Sequence, residues 1–243
     1  MQPMMIKRSM TCLLVLCAVA FSATATRAVQ LDNPSFEGPL VDGAPALPFI
    51  DAWTEFDLPI PNGDQVTGVF PNPAAPDAIA NVDQNQVAFM SALGGLGIGI
   101  AQSSVDTFVI GRTYDVAVWL GKSGETAFGT SPPDDAEITV RLFYGDVSNA
   151  LNPAFEIAST SVLAGDLSSE SLMLTSFSSN LVTAGDAWAG QPIGIAFLPT
   201  AGDNDTTPNT FNIDNVSITE IPEPASVALL GLGILAIGRR RRD

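Results

Sequence analysis

Histidine is absent from this chain, and its 243 residues hold only two cysteines, Cys12 and Cys17. Both cysteines fall in a stretch built like a secretory signal peptide: Lys7 and Arg8, an apolar run over residues 10–21, then small residues over 22–28. Residues 1–28 are read as that signal, with cleavage after Ala28 or, alternatively, after Ala25. A lipoprotein reading at Cys17 is disfavoured by the bulky Leu16 before it. The exported chain then has neither cysteine nor histidine. A disulfide framework, a Cys/His zinc site and a histidine-based catalytic triad are all excluded.

Positive charge is nearly as scarce. Between residues 29 and 220 the only basic side chains are Arg112, Lys122 and Arg141, against 24 of the chain's 26 acidic ones, a net charge of −21. A nucleic-acid partner is excluded, because phosphate binding needs a basic surface. So acidic a body suits an extracellular domain, kept soluble by self-repulsion or holding Ca²⁺ through oxygen ligands.

Long helical periodicity is also missing from the body. Its place is taken by short alternating runs between Gly, Pro, Asn and Asp clusters, which read as strands and turns. Tyr114, Val116, Val118 and Leu120 alternate with more polar or smaller neighbours, as do Ile138, Val140 and Leu142, and Ile193, Ile195 and Phe197. Further strands are expected over 86–91, 98–110, 155–163, 172–181 and 211–219, and long loops over 58–80 and 121–135. Half-buried antiparallel strands bury their apolar faces best as two packed sheets. The expectation is all-β: one antiparallel β-sandwich over 29–220, without internal repeats. The glycine run over 94–99 lacks the spacing of a nucleotide loop and reads as a hairpin edge.

The last strand changes phase. Phe211 and Ile213 are odd-numbered, whereas the next apolar residues, Val216 and Ile218, are even. A simple slip would turn half of them outward, so a β-bulge at Asp214-Asn215 is expected, keeping all four inward.

Several segments together resemble the galactose-binding-like jelly rolls and carbohydrate-binding modules. They are LDNPSFEGP over 31–39, FIDAW over 49–53, the run over 85–121 and FNIDNVSIT over 211–219. The resemblance implies a jelly roll with Trp53 in its core. It also implies a structural Ca²⁺ site joining Glu37 of the first strand to Asp214 of the last, a ligand set of the right oxygen chemistry. The other reading of these two carboxylates is that they cap backbone amides.

For sugar binding the candidates are Trp119, opposite the apolar face of its strand, and Trp188, in the turn-like AGDAWAGQP segment. The acidic clusters Asp134/Asp135/Glu137 and Asp203/Asp205 are the candidates for carboxylate catalysis, though turn and solvation roles are the default for such loop positions.

The C-terminus reads IPEP, an apolar run over 225–238, then Arg239, Arg240, Arg241 and Arg242. As a helix, fourteen residues span only about 21 Å of a hydrocarbon core about 30 Å thick, enough for a transient membrane hold and poor as a permanent anchor. The arginines would stay on the cytoplasmic side. This pattern resembles the PEP-CTERM sorting tails of Gram-negative, exopolysaccharide-producing bacteria, with Pro222, Glu223 and Pro224 as the signature. The resemblance implies processing of residues 221–243 by an exosortase after transient inner-membrane insertion, and delivery to the cell surface or matrix. There the body is expected to associate with extracellular polysaccharide without catalysis. The alternatives are a carboxylate-dependent jelly-roll enzyme and a purely structural matrix protein.

Overall fold

The computed structural model describes residues 25–42, 50–57, 67–74, 76–93, 96–124, 131–200 and 209–223. The expected sorting helix over 225–238, Pro224, the signal over 1–24 and the Asp203/Asp205 pair lie outside the described residues.

Eleven strands are described: β1 (Arg27–Ala28), β2 (Thr54–Asp57), β3 (Thr67–Pro71), β4 (Gln86–Leu93), β5 (Leu96–Thr107), β6 (Arg112–Lys122), β7 (Glu137–Tyr144), β8 (Glu156–Leu163), β9 (Met173–Ser178), β10 (Pro192–Thr200) and β11 (Asn209–Pro222). All eleven pair antiparallel. One sheet runs β3-β4-β11-β6-β9 with β1 beside the far end of β11; the other runs β8-β7-β10-β5-β2. The two are joined where the β4–β5 hairpin folds over, with Ala92 opposite Gly97 and Leu93 opposite Leu96. This is the all-β, jelly-roll-like sandwich that the alternating runs require.

The alternation holds in each run. Tyr114, Val116, Val118 and Leu120 of β6 face Ile138, Val140 and Leu142 of β7 and Ile193, Ile195 and Phe197 of β10 in one buried core. Trp53 joins it, its ring 5.0 Å from Phe36 and 5.7 Å from Phe197, with its indole N–H donated to Asn33 O at 3.1 Å. A buried indole needs such a partner, and the opening 31–39 stretch supplies it.

Where the structure departs from expectation, the reasons are local. β3 lies within the expected 58–80 loop. Its five residues are too few to show an alternation, and it is recruited by pairing along β4. β1 precedes the expected boundary at 29, pairing Arg27 with Glu220, and Arg27 bridges to Asp106. Cleavage after Ala25 would keep this strand, whereas cleavage after Ala28 would remove it. β11 in turn runs two residues past 220. The bulge is present one residue later than expected. Asp214 stays in register with Trp119, and the extra residue enters between Asp214 and Ser217, where Asn215 takes φ 46°. Phe211, Ile213, Val216 and Ile218 are all buried in the core as a result.

One close approach yields a stability prediction. Gly194 of β10 lies directly opposite Phe143, and a Cβ added there would come within 2.3 Å of the ring. Gly194→Ala should cost about 1–3 kcal/mol, the usual range for overpacking a tight core. A thermal melt should show it as a fall of several degrees.

Candidate functional site

The outward face of the β3-β4-β11-β6-β9 sheet carries the unusual chemistry. With Phe211 and Ile213 turned inward, Thr210, Asn212 and Asp214 point to the other side. Two rows of side chains cross that face. Gly68, Phe89, Asn212 and Gly121 pair in sequence across one, and Trp119 is flanked by Asp214 and Leu174 in the other. Phe70, Val87 and Phe89 form a separate small apolar cluster there, with Ile79 and Val82 packed on it.

Two connections fold over this face. Asn72 closes the first by bonding Ile79 at both its amide oxygen and nitrogen, at 2.9 and 3.0 Å. The second, leading into β9, passes so close to β6 that a Cβ on Gly121 would meet Leu172 at 2.8 Å and Ser168 O at 3.3 Å. The two connections are clasped together: Ala80 N–H donates to Glu170 O and Leu172 N–H to Ala80 O, both at 2.9 Å. Between them and the sheet lies a cleft of about 640 Å³, within the size range of small-molecule sites. Its apolar floor is Phe70 and Phe89, with Thr210 and Asn212 beside them. Among the described residues, the charged ones lining it are Asp77 and Glu170, both acidic and exposed.

Asn212 gives the cleft a specific demand. The residue is 3% exposed and its side-chain nitrogen donates to Lys122 O at 3.4 Å. Its Oδ1 has no hydrogen-bond partner among the described residues. A buried acceptor left unpaired costs about 1–3 kcal/mol, a cost that a donor brought by a water or a ligand would offset.

A carboxylate cluster adjoins the cleft. Asp214 is fully buried and accepts from Asp83 N–H at 2.5 Å and Asn215 N–H at 2.7 Å. Glu37 Oε1 accepts from the N–H groups of Asn85 and Gln86, both at 3.0 Å. Ser35 donates to Asp83 at 2.7 Å. Burial, joined by the negative charges of Asp83 and Glu37, pushes the Asp214 carboxyl up to about 7 although the two amides favour its ionised form. The structure thus brings Glu37 and Asp214 to one loop, 83–86, where they cap amides. Among the described residues no three acidic side chains form a ready metal cluster. Glu37 and Asp214 carry the oxygen chemistry that Ca²⁺ takes, but here their carboxylates accept from backbone amides and are not gathered with a third described acid into a ligand shell.

The other sequence candidates are dispersed. Trp119 is half-buried on the outward face, shouldered by exposed Leu174. Trp188 is half-buried at the end of the sandwich, edge-on to Phe108 at 5.0 Å, and so belongs to the packing there. Asp134 pairs with Lys122 and its backbone accepts from Gly165. Pro222 ends β11 opposite Arg112, with Glu223 just beyond it. Asn212 is the residue sequence reasoning passed over. Its outward parity was available, but the clasped connections that make a cleft above it are tertiary.

The sequence profile of the HpiC1 cyclase family matches residues 27–219, the sandwich from β1 to nearly the end of β11. The chain belongs to this family. The PEP-CTERM protein-sorting motif matches residues 220–242 and marks the chain as an exported, exosortase-processed cell-surface protein. No curated protein matches the sequence. Among solved structures, the Stig cyclase Fisc from Fischerella sp. TAU, in complex with (3Z)-3-(1-methyl-2-pyrrolidinylidene)-3H-indole, is 19% identical. Its TM-score is 0.62 over 82% of this chain and 99% of that one. A Fischerella sp. TAU cyclase in complex with 4-(1H-indol-3-yl)butan-2-one is 21% identical, with a TM-score of 0.61 over 81% of this chain and 98% of that one. At these identities the likeness establishes the fold alone.

Proposed function

We propose that this exported HpiC1-family protein binds a small, largely apolar ligand carrying an N–H or O–H donor, and that the cleft over Phe89 and Asn212 is its site. The unpaired Asn212 Oδ1 carries the reading. An apolar floor supplies burial, the amide oxygen supplies direction, and the acidic rim favours neutral or cationic molecules over anions. 1H-Indoles have this chemistry, and one Fischerella cyclase is seen with 4-(1H-indol-3-yl)butan-2-one, which carries the N–H.

Cyclisation is the family's named activity, and it is the enzymatic form of this proposal. Proton-driven ring closure needs a titratable group within reach of the ligand. The floor offers an amide, and Asp77 and Glu170 at the rim are the acids available. Asp214 lies under the surface beside Asn212 and would act on the site's stability and charge.

A second reading, association with extracellular polysaccharide, is favoured by Trp119, whose half-exposed ring beside Leu174 is a platform on which a sugar face can stack. Ca²⁺ at Glu37 and Asp214 would brace loop 83–86 in either case, through carboxylates and backbone carbonyls.

The test is a melting-temperature panel on residues 26–223, with indoles and small heteroaromatic amines in one arm and polysaccharides in the other, each with Ca²⁺ or a chelator. A saturable upward shift by indoles such as 4-(1H-indol-3-yl)butan-2-one supports the cleft reading. A shift confined to glycans, lost in Trp119→Ala, would replace it with the polysaccharide reading.

A further inference from the structure

Seven large apolar side chains are exposed among the described residues, and three of them belong to one six-residue stretch: Val105 (85%), Val109 (41%) and Ile110 (56%). The stretch closes β5 and turns into β6. It is held stiffly in this outward pose. Phe108 between them is buried, 4.9 Å from Tyr114 and 5.0 Å from Trp188. Tyr114 Oη accepts the Val109 N–H at 2.7 Å. Gly111, at φ +79°, reverses the chain and donates to Val182 O at 2.9 Å. A turn so braced yet tipped with Val109 and Ile110 has no packing reason for its apolar end among the described residues.

The sorting motif begins beside it. Ile221 and Pro222 pair with Thr113 and Arg112, and the Glu223 N–H donates to Gly111 O at 3.2 Å. The apolar run of the tail starts at residue 225, two residues beyond that bond. Two extended residues reach at most about 7 Å. The headgroup layer on each side of the hydrocarbon core is about as thick, roughly 5–8 Å. With residues 225–238 in a bilayer, the tip of this turn therefore lies within or against the headgroup layer.

We propose that this end of the sandwich is a membrane-docking tip: Val109 and Ile110 enter the bilayer interface that receives the tail, so the body stands on the membrane in a fixed orientation while the motif is presented for processing. The inference rests on the tail entering the bilayer. The apolar contact is small, of the kind that gives only reversible membrane binding unaided. It orients the body while the tail holds it, and releases it after cleavage. The rest of the acidic body, which any anionic lipid would repel, is kept off the surface.

The chain from residue 26 to 243 contains no cysteine, so single positions can be labelled cleanly. An environment-sensitive fluorophore is placed at Ile110→Cys, at Leu163→Cys on the opposite end of the sandwich, and at Gly233→Cys in the tail. Each protein is reconstituted in phosphatidylcholine vesicles with and without lipid-borne quencher. The proposal expects a blue shift and loss of most emission at 110 and 233, with 163 unchanged. A quenched tail label with 110 unquenched overturns the docking tip while leaving tail insertion intact. An unquenched tail label overturns the premise. Quenching at 163 as strongly as at 110 means unoriented adsorption and also overturns it, as does shielding of 110 only when an exosortase is added. Val109→Asp/Ile110→Asp should abolish the ordered orientation without lowering the melting temperature in solution.

Discussion

Between about pH 4 and pH 7 the folded body is expected to lose stability as the pH rises. The cause is Asp214, whose carboxyl is pushed up to about 7 by burial and by the neighbouring Asp83 and Glu37 charges. The unfolded chain gives up this proton near the ordinary carboxylate value of about 4, whereas the folded body retains it. Across that window the folded state binds more protons, so stability is full below about 4 and declines until the pH passes about 7. Three units at about 1.4 kcal/mol each set an upper limit of about 4 kcal/mol. Denaturant melts of residues 26–223 at pH 4.5 and 7.5, under chelator, should differ in this direction. Asp214→Asn should flatten the difference, and Ca²⁺ should reverse it if it seats on Glu37 and Asp214, because a cation favours the ionised form. A body equally stable at both values under chelator would show that Asp214 titrates normally.

Replacing Asn212 with leucine should make the protein more stable and less able to bind. The unpaired Oδ1 is a standing cost, and a leucine of similar shape removes it together with one 3.4 Å bond to Lys122 O. The expected gain is about 1–2 kcal/mol, a rise of several degrees in melting temperature. The same substitution deprives a ligand donor of its partner, lowering affinity about tenfold or more. Opposite signs for stability and binding are the mark of a polar group kept for function. A variant that loses both would make Asn212 a structural residue.

Much of the fold was legible because period-two alternation survives wherever one face of a strand is buried. Residues 114–120, 138–142 and 193–197 reported their inward faces directly. The phase change in β11 likewise disclosed a bulge, although its placement after Asp214 depended on the positive φ adopted by Asn215. β3 escaped notice because five residues beside a Pro- and Asn-rich loop carry no period, and its partner β4 lies some twenty residues away in sequence. The joining of Glu37 and Asp214 at one loop followed from resemblance. The cleft did not, since it exists only because Ala80 and Leu172, far apart in the chain, clasp two connections over Asn212. Trp188, expected on the surface from its turn-like neighbours, is drawn inward by Phe108.

A ligand donor bonded to Asn212 would be read at that residue itself by side-chain amide NMR on residues 26–223. Titration with 4-(1H-indol-3-yl)butan-2-one and the other indoles of the panel should move the Asn212 side-chain signals saturably. The backbone amides of Thr210 and Gly124, also at the cleft, should move with them. Signals from Leu163 at the end of β8 should stay still. Saturable shifts gathered around Trp119 and Leu174, with Asn212 silent, would rule out the cleft and place recognition on the open sheet face instead.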